Sequence, residues 1–285
     1  FVGVQTSADD YYFLKPVSNR DGVATFVDKL GEESKVEEAL LRPAIRDRMI
    51  DVYDGQPEPD FYAIFPYQEN EKGRYEPIPV ETMRDRFPNA WKYFEKFRER
   101  LSPPNRNISP DPGEKVWAYG RSQSLNKLSE PKLIVRTLSL VPRYALDLDG
   151  LLVPGGGDGG PYYLLRPEAE CRYSIDTLQA ILSHPVVDLY VAVNGKKFHG
   201  SYASHRKEFL KLVPLPELST QQRKQIDLNT RELRDLAERL RIETDTSLRE
   251  SMTQRRRRLS AQNHAVISEA FGLREEDILR ATGST

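Results

Sequence analysis

Cysteine is almost missing from this chain. Of 285 residues only Cys171 carries a thiol, which excludes an intramolecular disulfide and suits a reducing cytoplasm. No apolar run approaches the roughly 18–20 residues needed to cross a bilayer, so no membrane association is expected. Histidine is scarce as well: four residues, with the one cysteine, fall at no zinc-binding spacing, and no metal is expected. Net charge is close to nil, with 42 basic and 43 acidic residues, so the chain as a whole is no polycation. It opens on a strand-like "FVGV", with neither a secretory signal nor a methionine, as expected of a piece of something longer.

What is present is a soluble, globular composition, 38% hydrophobic and 30% charged. The length suits one large domain with an appendage, or two domains. The charge is unevenly spread. Residues 1–60 hold thirteen acids against seven bases; 115–143 hold six bases (Lys115, Arg121, Lys127, Lys132, Arg136, Arg143) against Glu130 alone; 194–211 hold five (Lys196, Lys197, Arg206, Lys207, Lys211) against Glu208 alone. A neutral protein with two local basic clusters can present one face to a polyanion. On charge alone, two solvated faces are the simpler account.

The hydrophobic pattern predicts an α+β fold: a mixed sheet with packed helices over 1–216 and a helical C-terminal appendage over 217–285. "FVGVQTSADDYYFLKPV" reads as strand, polar turn, strand. The pattern predicts a helix after Gly31 that Pro43 ends or restarts, a strand at 61–68, and a helix within 79–101 with Trp91, Phe94, Phe97 and Leu101 on one face. Four prolines mark 102–114 as a mobile surface loop. "KVWAYGR" and "KLIVRTLS" read as strands. Asp149-Gly150 between apolar runs signals a hairpin, and the Gly-rich turn at 155–160 feeds a further strand. Residues 173–193 carry the strongest helical pattern, with Ser174 as cap and a kink or second helix at Pro185. In the tail, Ser219 and Gln222 suit a capping box, and Ile226, Leu233 and Leu240 repeat every seven residues, with Leu236 between them. The run Arg255–Arg258 points in all directions on a helix and reads as a solvated surface.

Several chemistries are absent from the motifs. "GGGDGG" fits G-x-G-x-x-G, but Pro161 and "YYLL" follow where a dinucleotide loop needs a helix. "DLDG" at 147–150 lacks the later ligands of a calcium loop. Cys171 as a nucleophile would need a base, and neither His184 nor His199 is marked as one. "SPPN" at 102–105 has Asn105 where the base-holding loop of amino-methyltransferases has an aromatic residue. It is not read as catalytic.

An ordered set of phrases carries a resemblance: "FVGVQTSADDYYFL", "WAYGRSQSL", "PKLIVRTLS", "ALDLDGLLVPGGGDGGPYYLL", "LQAILSHPVVDLYVAVNGKKFHGSYASHRKEFLKLVPLP" and "AFGLREEDI". Together they resemble the C-terminal target-recognition (TaqI-like specificity) region of adenine-specific DNA methyltransferases of the Eco57I-type and type IIG restriction–modification class. The resemblance implies sequence-specific recognition of double-stranded DNA in a bacterial or archaeal cytoplasm. The catalytic methyltransferase domain would lie elsewhere, in the same parent chain or a separate subunit. S-adenosylmethionine would belong to that domain, whose loop and Asn-Pro-Pro-Tyr motif this chain lacks. On this reading the chain is not itself an enzyme, has no catalytic residues and needs no cofactor.

The expected DNA contacts follow. Gly195, Gly200, Ser201, Ala203 and Ser204 let backbone approach phosphates, and Lys196, Lys197, Arg206 and Lys207 neutralise them. Arg121, Ser122, Gln123, Ser124 and Asn126, with His199, Tyr202 and His205, are the candidates for base edges or phosphates. The plain alternatives are packing for Phe198 and Tyr202 and an internal salt bridge for Arg121. Two other functions stay open: a protein-interaction module docking through its helical tail, or a free-standing specificity subunit that recruits a methyltransferase.

Overall fold

The structure is a computed structural model of the full chain; it describes residues 1–46, 50, 53, 55–109, 111–139, 143–155, 161–194, 203–204, 207–274 and 276–277. The class is α+β, as the pattern predicts. The N-terminal half runs α1 (Asp9–Tyr12), β1 (Phe13–Leu14), β2 (Ser18–Arg20), β3 (Val23–Val27), β4 (Glu33–Glu37), β5 (Leu41–Ala44), β6 (Phe61–Ile64), β7 (Tyr67–Glu69), β8 (Tyr75–Pro77), α2 (Val80–Arg86), α3 (Pro88–Lys96) and α4 (Arg98–Leu101). Then come β9 (Lys132–Arg136), β10 (Leu138–Ser139), β11 (Tyr144–Asp147), β12 (Tyr162–Leu165), α5 (Ile175–Leu182), α6 (Pro185–Asn194), β13 (Ala203–Ser204), α7 (Lys207–Leu210), α8 (Thr220–Ile242) and α9 (Thr246–Ala270). The strands form small antiparallel sheets ordered β1-β6-β5, β2-β3-β4, β7-β8, β11-β9-β12 and β10-β13. Among the described residues, parallel pairing occurs only as the isolated bridges Val4–Pro154 and Ala44–Leu152.

Several expectations are corrected. Residues 33–44 are two strands joined by one 3-10 turn, not a helix. Ser34 and Val36 point inward while Glu33, Lys35 and Glu37 are more exposed, and β4 pairs with β3 along its whole length. That period of two decides against the helical propensity of a Glu-rich run. The N-terminal stretch is not a hairpin: Val2, Val4 and Gln5 bridge to Tyr163, Pro154 and Arg121, while Phe13–Leu14 pairs with β6. Asp149-Gly150 turns the chain without closing a hairpin. β11 pairs with β9, and the chain beyond Gly150 crosses to Pro43 and Val4, where Leu151, Leu152 and Val153 are buried. Gly3 permits that crossing, since a Cβ there would sit 2.1 Å from the Val153 carbonyl oxygen. The helix expected within 79–101 is broken into three, with Pro88 opening α3.

"KVWAYGR" forms no strand, and the loop at 102–114 is not purely superficial. Arg106, 3% exposed, is the link between them. Its guanidinium donates to the carbonyls of Thr6 (2.5 and 2.9 Å), Leu101 (3.3 Å), Val116 (3.0 Å) and Ala118 (2.6 Å) and lies over the Tyr12 ring. Residues 116–118 spend their carbonyls on side chains instead of a ladder: the Tyr12 hydroxyl donates to Trp117 O at 3.0 Å. Around this knot Tyr12, Phe94, Trp117 and Tyr119 form the main core, each fully buried large side chain stabilising by about 1.5–3 kcal/mol.

Other local signals hold. Ser174 accepts from Thr177 N–H, Pro185 opens α6 as a second helix, and Ser219 with Gln222 forms a capping box. Ile226, Leu233 and Leu236 face inward as the seven-residue repeat requires. The tail helices share a core with earlier residues, since Tyr53, Tyr173, Ala180 and Ile181 pack with Ile226, Leu233, Met252, Leu259 and Ile267.

Candidate nucleic-acid interface

β9 emerges from the centre of its sheet between β11 and β12. Beyond Arg136 the Thr137 N–H donates to the Pro161 carbonyl at 2.9 Å, and the chain enters β10. β10 pairs antiparallel with β13, in the register Leu138–Ser204 and Ser139–Ala203. This pairing joins a short segment of the first basic stretch, 115–143, to a short segment of the second, 194–211.

The Arg121 loop is tied to the β11-β9-β12 sheet through the N-terminus. Val2 bridges to Tyr163 of β12, and three residues on Gln5 bridges to Arg121, whose N–H donates to Gln5 O at 3.0 Å. Val4 meanwhile lies beside Pro154 and Gly155, where the Gly-rich turn begins. Gly120 is indispensable to this approach: a Cβ there would meet Ser7 Oγ at 2.2 Å and Asn107 O at 2.9 Å. Arg121, Ser122 and Gln123 are exposed, and Arg121 makes no ion pair among the described residues, so the internal salt bridge considered for it is not found. Ser124 is half-buried, and Leu125 anchors the loop in the core. Asn126 is committed to structure: its amide donates to Gly73 O at 2.6 Å and accepts from Tyr75 N–H, clasping the β7–β8 turn.

Lys196, Lys197, His199, Ser201, Tyr202, His205 and Arg206 lie outside the described residues, as does the side chain of Lys207, the first residue of α7. Most of "GGGDGG" also lies outside them. The reading of the sequence missed Gln5 and Ser7 beside Arg121, and took Arg136 only as one base of the 115–143 cluster. Gln5 is half-buried beside Arg121, Ser7 is exposed with a positive φ of 57°, and the Arg136 guanidinium lies 5.8 Å from the Tyr162 ring centre. The polar break after "FVGV" marked the first two, but only the long-range bridge shows which loop they join.

The titratable groups near this edge are structural. Lys132 and Asp147 form a fully buried ion pair between β9 and β11, with further bonds from Lys132 to Leu128 O (2.6 Å) and from Gln56 to Asp147 (2.8 Å). Burial pulls the Lys132 ammonium below the ordinary lysine range, and Asp147 opposes that pull. Asp147 is thereby engaged by protein groups, and no group of three or more His, Cys, Asp or Glu that could hold a metal occurs among the described residues. Asp188 on α6 is raised to about 7 by burial, with Arg143 opposing. His184 is fully buried against α9, its Nε2 within 3.0 Å of Ser268 Oγ and 3.2 Å of His264 O; burial lowers it to about 4. Both features are those of a packed core histidine, not of a base for Cys171. No helix among the described residues is long and apolar enough to cross a membrane.

What the described residues show here is an exposed polar loop at 121–123 and a backbone pairing between segments of the two basic stretches. No family model matches the chain. The type II restriction enzyme and methyltransferase RM.Eco57I of Escherichia coli is 28% identical to it over 235 residues, 80% of this chain and 23% of that protein. The chain is thus related to a restriction–methyltransferase and spans about a quarter of that relative's length.

Proposed function

We propose that this chain is the DNA target-recognition module of an adenine-N6 DNA methyltransferase or restriction–modification enzyme of the bacterial or archaeal cytoplasm. The observation that carries the reading is the β10–β13 pairing, which brings together segments drawn from the two basic stretches, while Val2 and Gln5 of the N-terminus link β12 of the neighbouring sheet to Arg121. On this reading Lys196, Lys197, Arg206 and Lys207 clamp phosphates, while Arg121, Ser122 and Gln123, joined by Gln5 and Ser7, meet base edges. Asn126 supports their loop. Methyl transfer, S-adenosylmethionine and base flipping belong to a catalytic domain beyond this segment.

Fluorescence anisotropy of the chain with a random-sequence duplex pool, titrated with salt, tests this. Binding should fall steeply as salt rises, and Lys196→Ala/Lys197→Ala should reduce the log–log salt slope by ~0.9 for each phosphate that is no longer neutralised. Arg121→Ala should weaken selected target sites more than random DNA. Absence of binding at low salt would overturn the reading. It would favour a docking module, which the exposed Ile242 and Leu248 at the α8–α9 turn would then serve.

A further inference from the structure

A cleft of about 330 Å³ opens between the β1-β6-β5 and β2-β3-β4 sheets, and its lining includes none of the residues assigned to DNA. Its floor is aromatic: Phe13, Phe26, Phe61 and Tyr93. Its rim mixes charged side chains with exposed apolar ones. Val17 and Val27 line it at 69% and 62% exposure, and Leu30, in the adjoining turn, is 64% exposed. Single exposed aliphatic residues need no explanation, but two of them on one concave aromatic floor, with Leu30 in the next turn, form a patch of the kind that marks an interaction site.

The cleft's lining holds three bases and two acids, but they are not evenly paired. Lys15, Lys29 and Arg46 border it. Asp10 is shared between Lys29 (2.7 Å) and Arg46 (2.6 Å). The Asp28 carboxylate is taken up by Lys96, by Ser34 and by the N–H groups of Leu30 and Glu32. Lys15 has no carboxylate partner among the described residues; its ammonium rests 4.4 Å from the centre of the Phe61 ring. A cation over an aromatic face, at the mouth of an apolar cavity, is a ready partner for an incoming carboxylate.

We propose that this cleft docks a segment of a partner protein bearing a bulky apolar side chain next to a carboxylate. The side chain fills the aromatic floor under Val17 and Val27, and the carboxylate pairs with Lys15. A nucleic-acid backbone fits poorly, since Lys29 and Arg46 already share Asp10, Asp28 adds a second carboxylate to the lining, and the valines would be covered without gain. The inference does not depend on the DNA reading.

The test is amide NMR on the full chain with two probes, the acidic peptide acetyl-Glu-Leu-Phe-Glu-amide and its basic counterpart acetyl-Lys-Leu-Phe-Lys-amide. The acidic peptide should shift Val17, Val27 and Phe61 saturably and bind at least about tenfold more tightly than the basic one. Lys15→Glu should invert that order, and Val27→Asp should abolish binding; both positions are exposed, so the remaining spectrum should be unchanged. Equal binding of the two peptides, or no saturable shift at millimolar peptide, would overturn the proposal. So would shifts of the cleft amides by duplex DNA, which would assign the cleft to the DNA face.

Discussion

Arg234 of α8 and Asp176 of α5 form a buried ion pair at 2.5 Å, and Arg234 also donates to Gln179 Oε1 at 2.7 Å. Gln179 in turn donates to the Tyr144 carbonyl at 2.7 Å. The helical tail is thereby tied, through α5, to β11 of the sheet that carries the candidate interface.

Arg234→Ala should destabilise the chain by about 3 kcal/mol, because among the described residues Asp176 would keep only the exposed Arg231 as an ionic partner. Denaturant melts of the single variants and of the Arg234→Met/Asp176→Leu pair measure the coupling. A double variant more stable than either single one is the expected outcome, since the main cost is a buried charge left alone.

Lys132→Met should cost roughly 3–5 kcal/mol by stranding Asp147 between β9 and β11. Lys132→Met/Asp147→Leu should recover much of that loss. Equal stability of the wild type and Lys132→Met in urea would show that Gln56 and the backbone suffice to hold Asp147.

Acid should loosen the contact of α9 with the α5–α6 junction. His184 is depressed from 6.5 to about 4, so its stabilisation is present above pH 6.5 and is lost as pH falls toward 4. The shift corresponds to about 3 kcal/mol at most. His184→Gln, which cannot charge, should flatten the pH dependence of the melting temperature over that window, while an unchanged slope would remove His184 as its source.

Asp188 has the opposite sign. Its folded value is raised from 3.8 to about 7, so the favourable neutral form is present at low pH and is lost as pH rises through 7. Its Oδ1 has no hydrogen-bond partner among the described residues. Asp188→Asn should therefore stabilise by roughly 2 kcal/mol at pH 8, by about half of that or less at pH 5 and by almost nothing below pH 4, read as the difference between urea midpoints.

Gly120→Ala should unfold or badly strain the Arg121 loop, because the added methyl collides with the Asn107 backbone as well as with Ser7. Loss of DNA binding together with a lowered melting temperature is expected, whereas Arg121→Ala should lower binding alone.

What the sequence determined by itself is local. Ser174, Pro185 and the Ser219–Gln222 box mark helix starts because capping needs only residues within one turn. The seven-residue spacing from Ile226 to Leu240 marks a packed face for the same reason, and β9 and β12 announce themselves by their β-branched and aromatic content. The two basic clusters and the polar "RSQS" run were also legible as candidates. Tertiary structure decided which segments meet. Glu33–Glu37 is a strand because β3 offers a ladder that a helix would forgo. Residues 116–119 are irregular because Arg106 and Tyr12 claim their carbonyls. Asp149-Gly150 closes no hairpin because Leu151–Val153 finds a deeper burial against Pro43 and Val4. The union of the two basic segments is likewise a long-range event: Leu138 and Ser204 lie 66 positions apart, and no pattern within either stretch encodes the backbone hydrogen bonds that join them.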